Sequence, residues 1–205
     1  MNTFYDKTKL EVGIDEVARG CLAGPVFTAA VVWPNNLNCE LEKEIKDSKK
    51  VSKKKRNFLR YYIEENAIDF SISYKDNNVI DKYNILNSTH MAMHDAIDKL
   101  NVIPDLILVD GNSFNPYYNN NELIEHLCII GGDNKYISIA CASILAKEYH
   151  DEYIRNLLNI DETLKKYDWE NNVCYGTKKH IEAIKTYGLT KYHRKTFGIC
   201  NNYNT

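Results

Sequence analysis

Leu106–Val109 is a run of four branched aliphatic residues that stops at Asp110-Gly111. A run this short is too brief for a helix, and a strand apolar on both faces must be covered on both sides. Its neighbours supply the cover. Thr89–Leu100 sets Met93, Ala96, Ile97 and Leu100 at helical spacing, and Ser138–Leu158 reads as a long helix packed through Ala140, Ala142 and Ala146. The expected fold class is therefore α/β, a central mixed sheet flanked by helices.

More strands fit that sheet. Glu11–Asp15 alternates Val12 and Ile14 with polar neighbours inside a segment carrying Gly13, Gly20 and Gly24. Pro25–Trp33 is an apolar, β-rich run, and Asp69–Tyr74 alternates with period two. Ser52 is placed to cap a helix reaching about Asn66, with Phe58, Leu59, Tyr62 and Ile63 on one face. Gly176 opens a helical pattern that runs to about Tyr187 and is closed by Gly188. Leu123–Ile130 has no decisive period. The Asn clusters at 35–36, 119–121 and 171–172 read as loop tips.

The chain has 205 residues, 44% apolar and 26% charged, which is enough to bury a core without disulfides or a structural metal. No repeat or Pro/Gly/Ser linker divides it, so one domain is expected over 1–205. The six cysteines show no zinc-knuckle spacing and read as reduced thiols. No apolar stretch is long enough for a membrane span and no signal core precedes Leu10, so a cytoplasmic protein is expected. A monomer is the default.

Charge is uneven. The net is −2, yet Lys46–Arg56 carries seven cations against one acid, and Lys178–Lys195 six against one. Such segments are either solvated helix faces or contacts to a polyanion.

Three acidic positions fall where chemistry would be built. Asp15-Glu16 ends the first strand before a glycine turn, Asp110 ends the buried strand, and Asp133 follows Gly131-Gly132 ahead of the long helix. Strand ends are favoured ligand sites in α/β sheets. A lone carboxylate is usually only solvated, and Asp133 also suits a helix cap. Gathered together, the acids would repel unless a cation neutralised them. Oxygen donors without His or Cys suit magnesium or manganese, and two such ions can clamp a phosphodiester.

Val12–Val32 (VGIDEVARGCLAGPVFTAAVV), Asp47–Lys50 (DSKK), Leu108–Asn112 (LVDGN), Gly132–Asp151 (GDNKYISIACASILAKEYHD) and Tyr175–Phe197 (YGTKKHIEAIKTYGLTKYHRKTF) resemble, in order, the blocks of type 2 ribonuclease H, the RNase HII family. The type with an added N-terminal domain fits less well, with about ten residues ahead of the first strand. The resemblance implies an RNase H-like core over about 1–160 and a helical C-terminal part over about 161–205. It implies hydrolysis of the RNA strand of RNA/DNA hybrids, and incision 5′ to ribonucleotides embedded in duplex DNA, leaving 3′-hydroxyl and 5′-phosphate ends. It also implies two divalent ions, Mg2+ or Mn2+, on Asp15, Glu16, Asp110 and Asp133.

The family's ribonucleotide sensor is a Gly-Arg-Gly turn with a tyrosine, which matches Ala18, Arg19, Gly20 and Tyr175. Ala18 departs from the pattern: its methyl is expected to crowd the nucleotide, and a positive φ there would strain it. Val173-Cys174 replaces the usual Lys-Gly. Lys49 matches a phosphate contact, Ser143 and Lys147 match positions facing the nucleic-acid backbone, and His193-Arg194 match a supporting block. Past Phe197 there is no Gln-x-x-aliphatic-x-x-aromatic-aromatic pattern, so clamp binding by that route is not expected. Two alternatives are a related metal nuclease with altered substrate preference and a catalytically dead nucleic-acid-binding module.

Overall fold

The computed structural model describes residues 1–34, 44–45, 48 and 51–203. Lys49, Cys39, the Asn35–Asn36 cluster and part of the basic run 46–56 lie outside the described residues. Six strands form one mixed sheet. They are β1 (Glu11–Val17), β2 (Val26–Val32), β3 (Asp69–Lys75), β4 (Leu106–Asp110), β5 (Tyr117–Asn119) and β6 (Glu122–Ile129), in the order β3-β2-β1-β4-β6-β5. β4 lies parallel to both β1 and β6, and the other pairings are antiparallel.

Helices cover both faces. They are α1 (Lys53–Asn66), α2 (Asn77–Tyr83), α3 (Ile85–Asp98), α4 (Ile137–Ile160), α5 (Trp169–Asn172) and α6 (Lys178–Tyr187). The aliphatic run 106–109 is buried as its composition requires: Ile107 and Val109 pack with Met93 and Ala96 of α3, while Leu106 and Leu108 pack with Ile139 of α4. β1 divides in the same way, because successive side chains of a strand point to opposite faces. Val12 and Ile14 join the α3 side. On the α4 side, a Cβ on Gly13 would lie 2.3 Å from the backbone carbon of Ser138, so only glycine admits α4 this close.

Several expectations are refined. β1 runs two residues past Asp15, and α3 begins four residues ahead of Thr89, capped by Asn84. Ser52 caps α1 and Thr177 caps α6, which Gly188 closes. The indecisive segment 123–130 is strand β6, and the helix α2 carried no sequence expectation. Asn120 and Asn121 sit at positive φ in the β5–β6 turn, as the cluster suggested. Asn172 does not lie at an exposed tip. It is buried, donates to the Tyr167 carbonyl and accepts from the Cys174 N–H at 2.9 Å each, bracing the chain ahead of Tyr175.

Beyond the sheet, the second half of α4 packs with α5 and α6 around Trp169, Tyr167 and Ile184. Among the described residues no helix is long and apolar enough to cross a membrane, and Cys21, Cys128, Cys141, Cys174 and Cys200 form no disulfide.

Candidate active site

Register brings the acids together. Ile14 pairs with Val109 across parallel β1 and β4, so the next residues, Asp15 and Asp110, leave neighbouring strands at the same level. Asp110 in turn pairs with Ile129 at the end of β6, and the chain from there turns through Gly131 at φ 64° into a 3-10 turn, Gly132–Asn134, that carries Asp133. The Gly132 N–H donates to Asp110 Oδ1 at 2.7 Å, tying this turn to the strand end. One carboxylate oxygen from each of Asp15, Asp110 and Asp133 then lies within 4.8 Å of the others. Asp133 does not cap α4: no side chain caps that helix, and Asp133 Oδ1 accepts from Asn134 Nδ2 at 2.7 Å.

Glu16 stands apart from these three. One residue beyond Asp15, it points to the α3 face of the sheet and pairs with Arg19, Oε1 to Nη1 at 3.2 Å. It nonetheless borders the same pocket of about 340 Å³ as Asp15, Asp110 and Asp133.

The electrostatics fit a hard cation. Burial, and then the charges of Glu16 and Asp110, hold the Asp15 carboxyl well above the usual carboxylate range, against an N–H donated by Glu16 at 2.7 Å and the hydroxyl of Ser143. Burial also raises Glu16, opposed by Arg19. Crowded, partly desolvated carboxylates of this kind favour a bound divalent ion over an empty site. An all-oxygen donor set suits magnesium or manganese rather than zinc or copper.

The pocket also holds Ser143, Lys147 and Tyr175. Ser143 is buried, with its Oγ 3.0 Å from Ser48 Oγ. Lys147 Nζ is 2.8 Å from Asp151 Oδ1 and 5.8 Å from the Tyr175 ring centroid. Tyr175 is joined to the turn at 18–21 by an isolated bridge to Cys21, and a Cβ on Gly20 would lie 4.0 Å from its ring. Ala18 has φ 71°, so the left-handed turn that glycine would take is adopted by alanine. Ala18 is buried in the cluster that holds Cys21, Ile154 and Ile184, and its positive φ brings the backbone strain expected there. Val173 and Cys174, at φ 40° and 71°, carry the same strain.

The sequence reading thus finds Asp15, Glu16, Asp110, Asp133, Ser143, Lys147 and Tyr175 around one pocket, with Ala18, Arg19 and Gly20 in the adjoining turn. It did not assign Arg194 a partner. That guanidinium is fully buried and donates to the carbonyls of Ala18, Arg19 and Gly24 at 2.8, 2.8 and 2.9 Å. It also missed Arg56, whose guanidinium bonds the carbonyls of Ser48 and Val51 and pairs with Glu148 at 2.7 Å. Both act through backbone carbonyls, which leave no mark in side-chain spacing.

A mixed sheet with acids at the ends of its adjacent central strands defines the class, the ribonuclease H-like proteins, and comparison with known proteins agrees. The model of the family described as Ribonuclease HII matches residues 12–200. Ribonuclease HII of Christiangramia forsetii is 47% identical over 199 residues, covering 97% of this chain and 96% of that one. Ribonuclease HII of Parabacteroides distasonis is 46% identical over 196 residues, covering 96% and 94%. The structure of ribonuclease H2 from Pyrococcus horikoshii superposes with a TM-score of 0.75 at 23% identity, covering 95% of this chain and 96% of that one, which supports the fold. Bst-RNase HIII, solved in complex with Mn2+, has a TM-score of 0.70 at 18% identity, covering 94% and 68%. The chain belongs to the ribonuclease HII family. It is a metal-dependent ribonuclease, a hydrolase acting on the RNA strand of RNA/DNA hybrids.

Proposed function

We propose that the chain, beyond cleaving hybrids, incises 5′ to single ribonucleotides in duplex DNA, and that it uses two divalent ions, magnesium or manganese, held by Asp15, Glu16, Asp110 and Asp133. The observation that carries this reading is the convergence of three carboxylates within 4.8 Å in a pocket that also contains Tyr175. Such ions, when bound, lower the pKa of a coordinated water and offset charge on the leaving oxygen.

The chain's own groups do the remaining work. Asp15 and Asp110 are fixed by the β1–β4 ladder, so they would hold the ions without reorganisation. Glu16, on the opposite face, completes the donor set from the side of Arg19. Lys147 is held by Asp151 where its ammonium faces a phosphate in the pocket. Tyr175 packs against the ribose, and the backbone of Ala18–Gly20 reads the 2′-hydroxyl, the group that separates RNA from DNA at one residue. Water oxygen replaces the 3′ oxygen on phosphorus, leaving 3′-hydroxyl and 5′-phosphate ends.

The test is a cleavage assay on an all-DNA duplex, a DNA duplex with one ribonucleotide, and an RNA/DNA hybrid, each with Mg2+, Mn2+ or EDTA. Metal-dependent cutting of the second and third, with the cut 5′ to the ribonucleotide, is the expected result. Cleavage of the hybrid alone would remove junction incision from the proposal.

A further inference from the structure

We infer that His90 and His94, one turn apart on α3, are positioning residues that clamp the loop 111–116 as one wall of the groove entered by the substrate. The inference rests on the reading that a hybrid occupies this groove. His90 Nε2 lies 3.2 Å from the Ser113 carbonyl and 3.4 Å from its hydroxyl, and His94 Nε2 lies 3.0 Å from the Asn115 carbonyl. A carbonyl only accepts, so each ring carries its proton on Nε2 and donates to the loop.

Phe114, between those two carbonyls, is buried. Both rings meet it edge-on, at centroid distances of 6.3 and 5.1 Å, and His126 of β6 closes a third side at 5.1 Å. Three of the six histidines in the chain therefore surround one phenylalanine in one loop. Among the described residues His90 is buried with its Nδ1 unpartnered, while its Nε2 meets the loop at Ser113. A buried polar atom left without a partner is costly, and a ring held in that state points to a role for its other nitrogen.

The loop stands directly beside the acids. It leaves β4 at Asp110 through Gly111 at φ 104°. Asn112 and Ser113 line a second small pocket together with Glu16, Arg19 and Asp110. Glu16 and Asp110 thus separate this pocket from the one holding Tyr175, and a strand crossing the acids passes from one to the other. Outside the two histidines, the exposed Ser113 and Asn115 sit in no strand or helix, so the clamp sets where the wall stands.

The test compares His90→Leu/His94→Leu with His90→Gln/His94→Gln, because a glutamine amide can reach the same carbonyls and leucine cannot. His94→Leu alone serves where the double leucine variant does not fold, since His94 is only half-buried. Amide exchange across 112–115 is expected to quicken about tenfold in the leucine variants and to stay near wild type in the glutamine pair. Affinity for an RNA/DNA hybrid in EDTA, read by fluorescence anisotropy, is expected to weaken about tenfold with a matching rise in KM, while kcat stays within about twofold. Wild-type exchange and affinity in the leucine variants would overturn the clamp, as would a glutamine pair as impaired as leucine. Exchange and affinity are readable whether or not the wild-type chain cleaves, so failure of the catalytic reading shows separately, as hybrid binding without cutting.

Discussion

Arg194 Nη2 donates to the carbonyl of Ala18 at 2.8 Å, while Nη1 holds Arg19 and Nε holds Gly24. Three carbonyls of the turn at 18–24 therefore converge on one buried cation, and among the described residues no carboxylate lies within ion-pair distance of it. This is how an alanine is kept at φ 71° where glycine would sit without strain. Arg194→Lys cannot reproduce the fork and would leave two carbonyls unmet, so it is expected to lower stability by about 3 kcal/mol. Urea denaturation measures this directly.

The Ala18→Gly exchange has opposed effects. Relief of the left-handed backbone favours the variant by about 1–2 kcal/mol. Loss of a buried methyl and the greater freedom of unfolded glycine oppose it by a similar amount. Stability is therefore expected within about 1 kcal/mol of wild type. Because the methyl faces the core, the ratio of single-ribonucleotide to hybrid cleavage should also stay constant. A large change in that ratio would mean that the methyl reaches the nucleotide.

Asp110→Asn removes one of the charges that raise the Asp15 carboxyl. Without metal the variant is expected to be more stable than wild type by about 1 kcal/mol. With millimolar Mg2+ the order should reverse, because the wild type gains a ligand it holds better, and cleavage should be lost. Thermal melts with EDTA and with Mg2+ distinguish relief of repulsion from simple damage.

Gly13→Ala places a Cβ 2.3 Å from the Ser138 backbone carbon, where no side chain can yield. Separating α4 from β1 would cost about 3 kcal/mol, and it would carry Ser143 and Lys147 away from Asp15. Both stability and cleavage should fall, and Gly20→Ala, with an ordinary 4.0 Å contact, should be far milder on stability.

His180 and His193 meet Nε2 to Nε2 at 3.2 Å. Thr190 N–H donates to His193 Nδ1 at 2.9 Å, so His193 donates from Nε2, and His180 Nδ1 donates to the Tyr175 carbonyl at 3.0 Å. Both rings are neutral. Burial and the facing ring push His193 down to about 3, from 6.5 when free. The unfolded chain therefore binds the extra proton first, and stability is full above about pH 6.5 and falls as pH drops toward 3. His193 adds up to about 1.4 kcal/mol of loss per pH unit in that window. Urea denaturation at pH 7 and pH 5 should show a shallower pH dependence for His193→Gln than for wild type.

The α/β class, the buried strand 106–109, the capped helices and the acids at strand ends were legible in the chain, because local period, caps and glycine turns are properties of neighbouring residues. That Asp133 joins the other acids rather than capping α4, and that segment 123–130 is a strand, were not. Both depend on β6 pairing with β4, a contact between segments some twenty residues apart. The opposite facing of Asp15 and Glu16 lay half in reach, since alternation along a strand sends neighbours to opposite faces. Which face met α4 was settled by the missing side chain at Gly13. The holds on the loops around the site belong wholly to the folded chain. Arg194 on Ala18, Arg56 on Ser48 and His90 on Ser113 all bond backbone carbonyls, and a carbonyl is the same at every residue. Only the packing of distant elements decides which ones a buried donor meets.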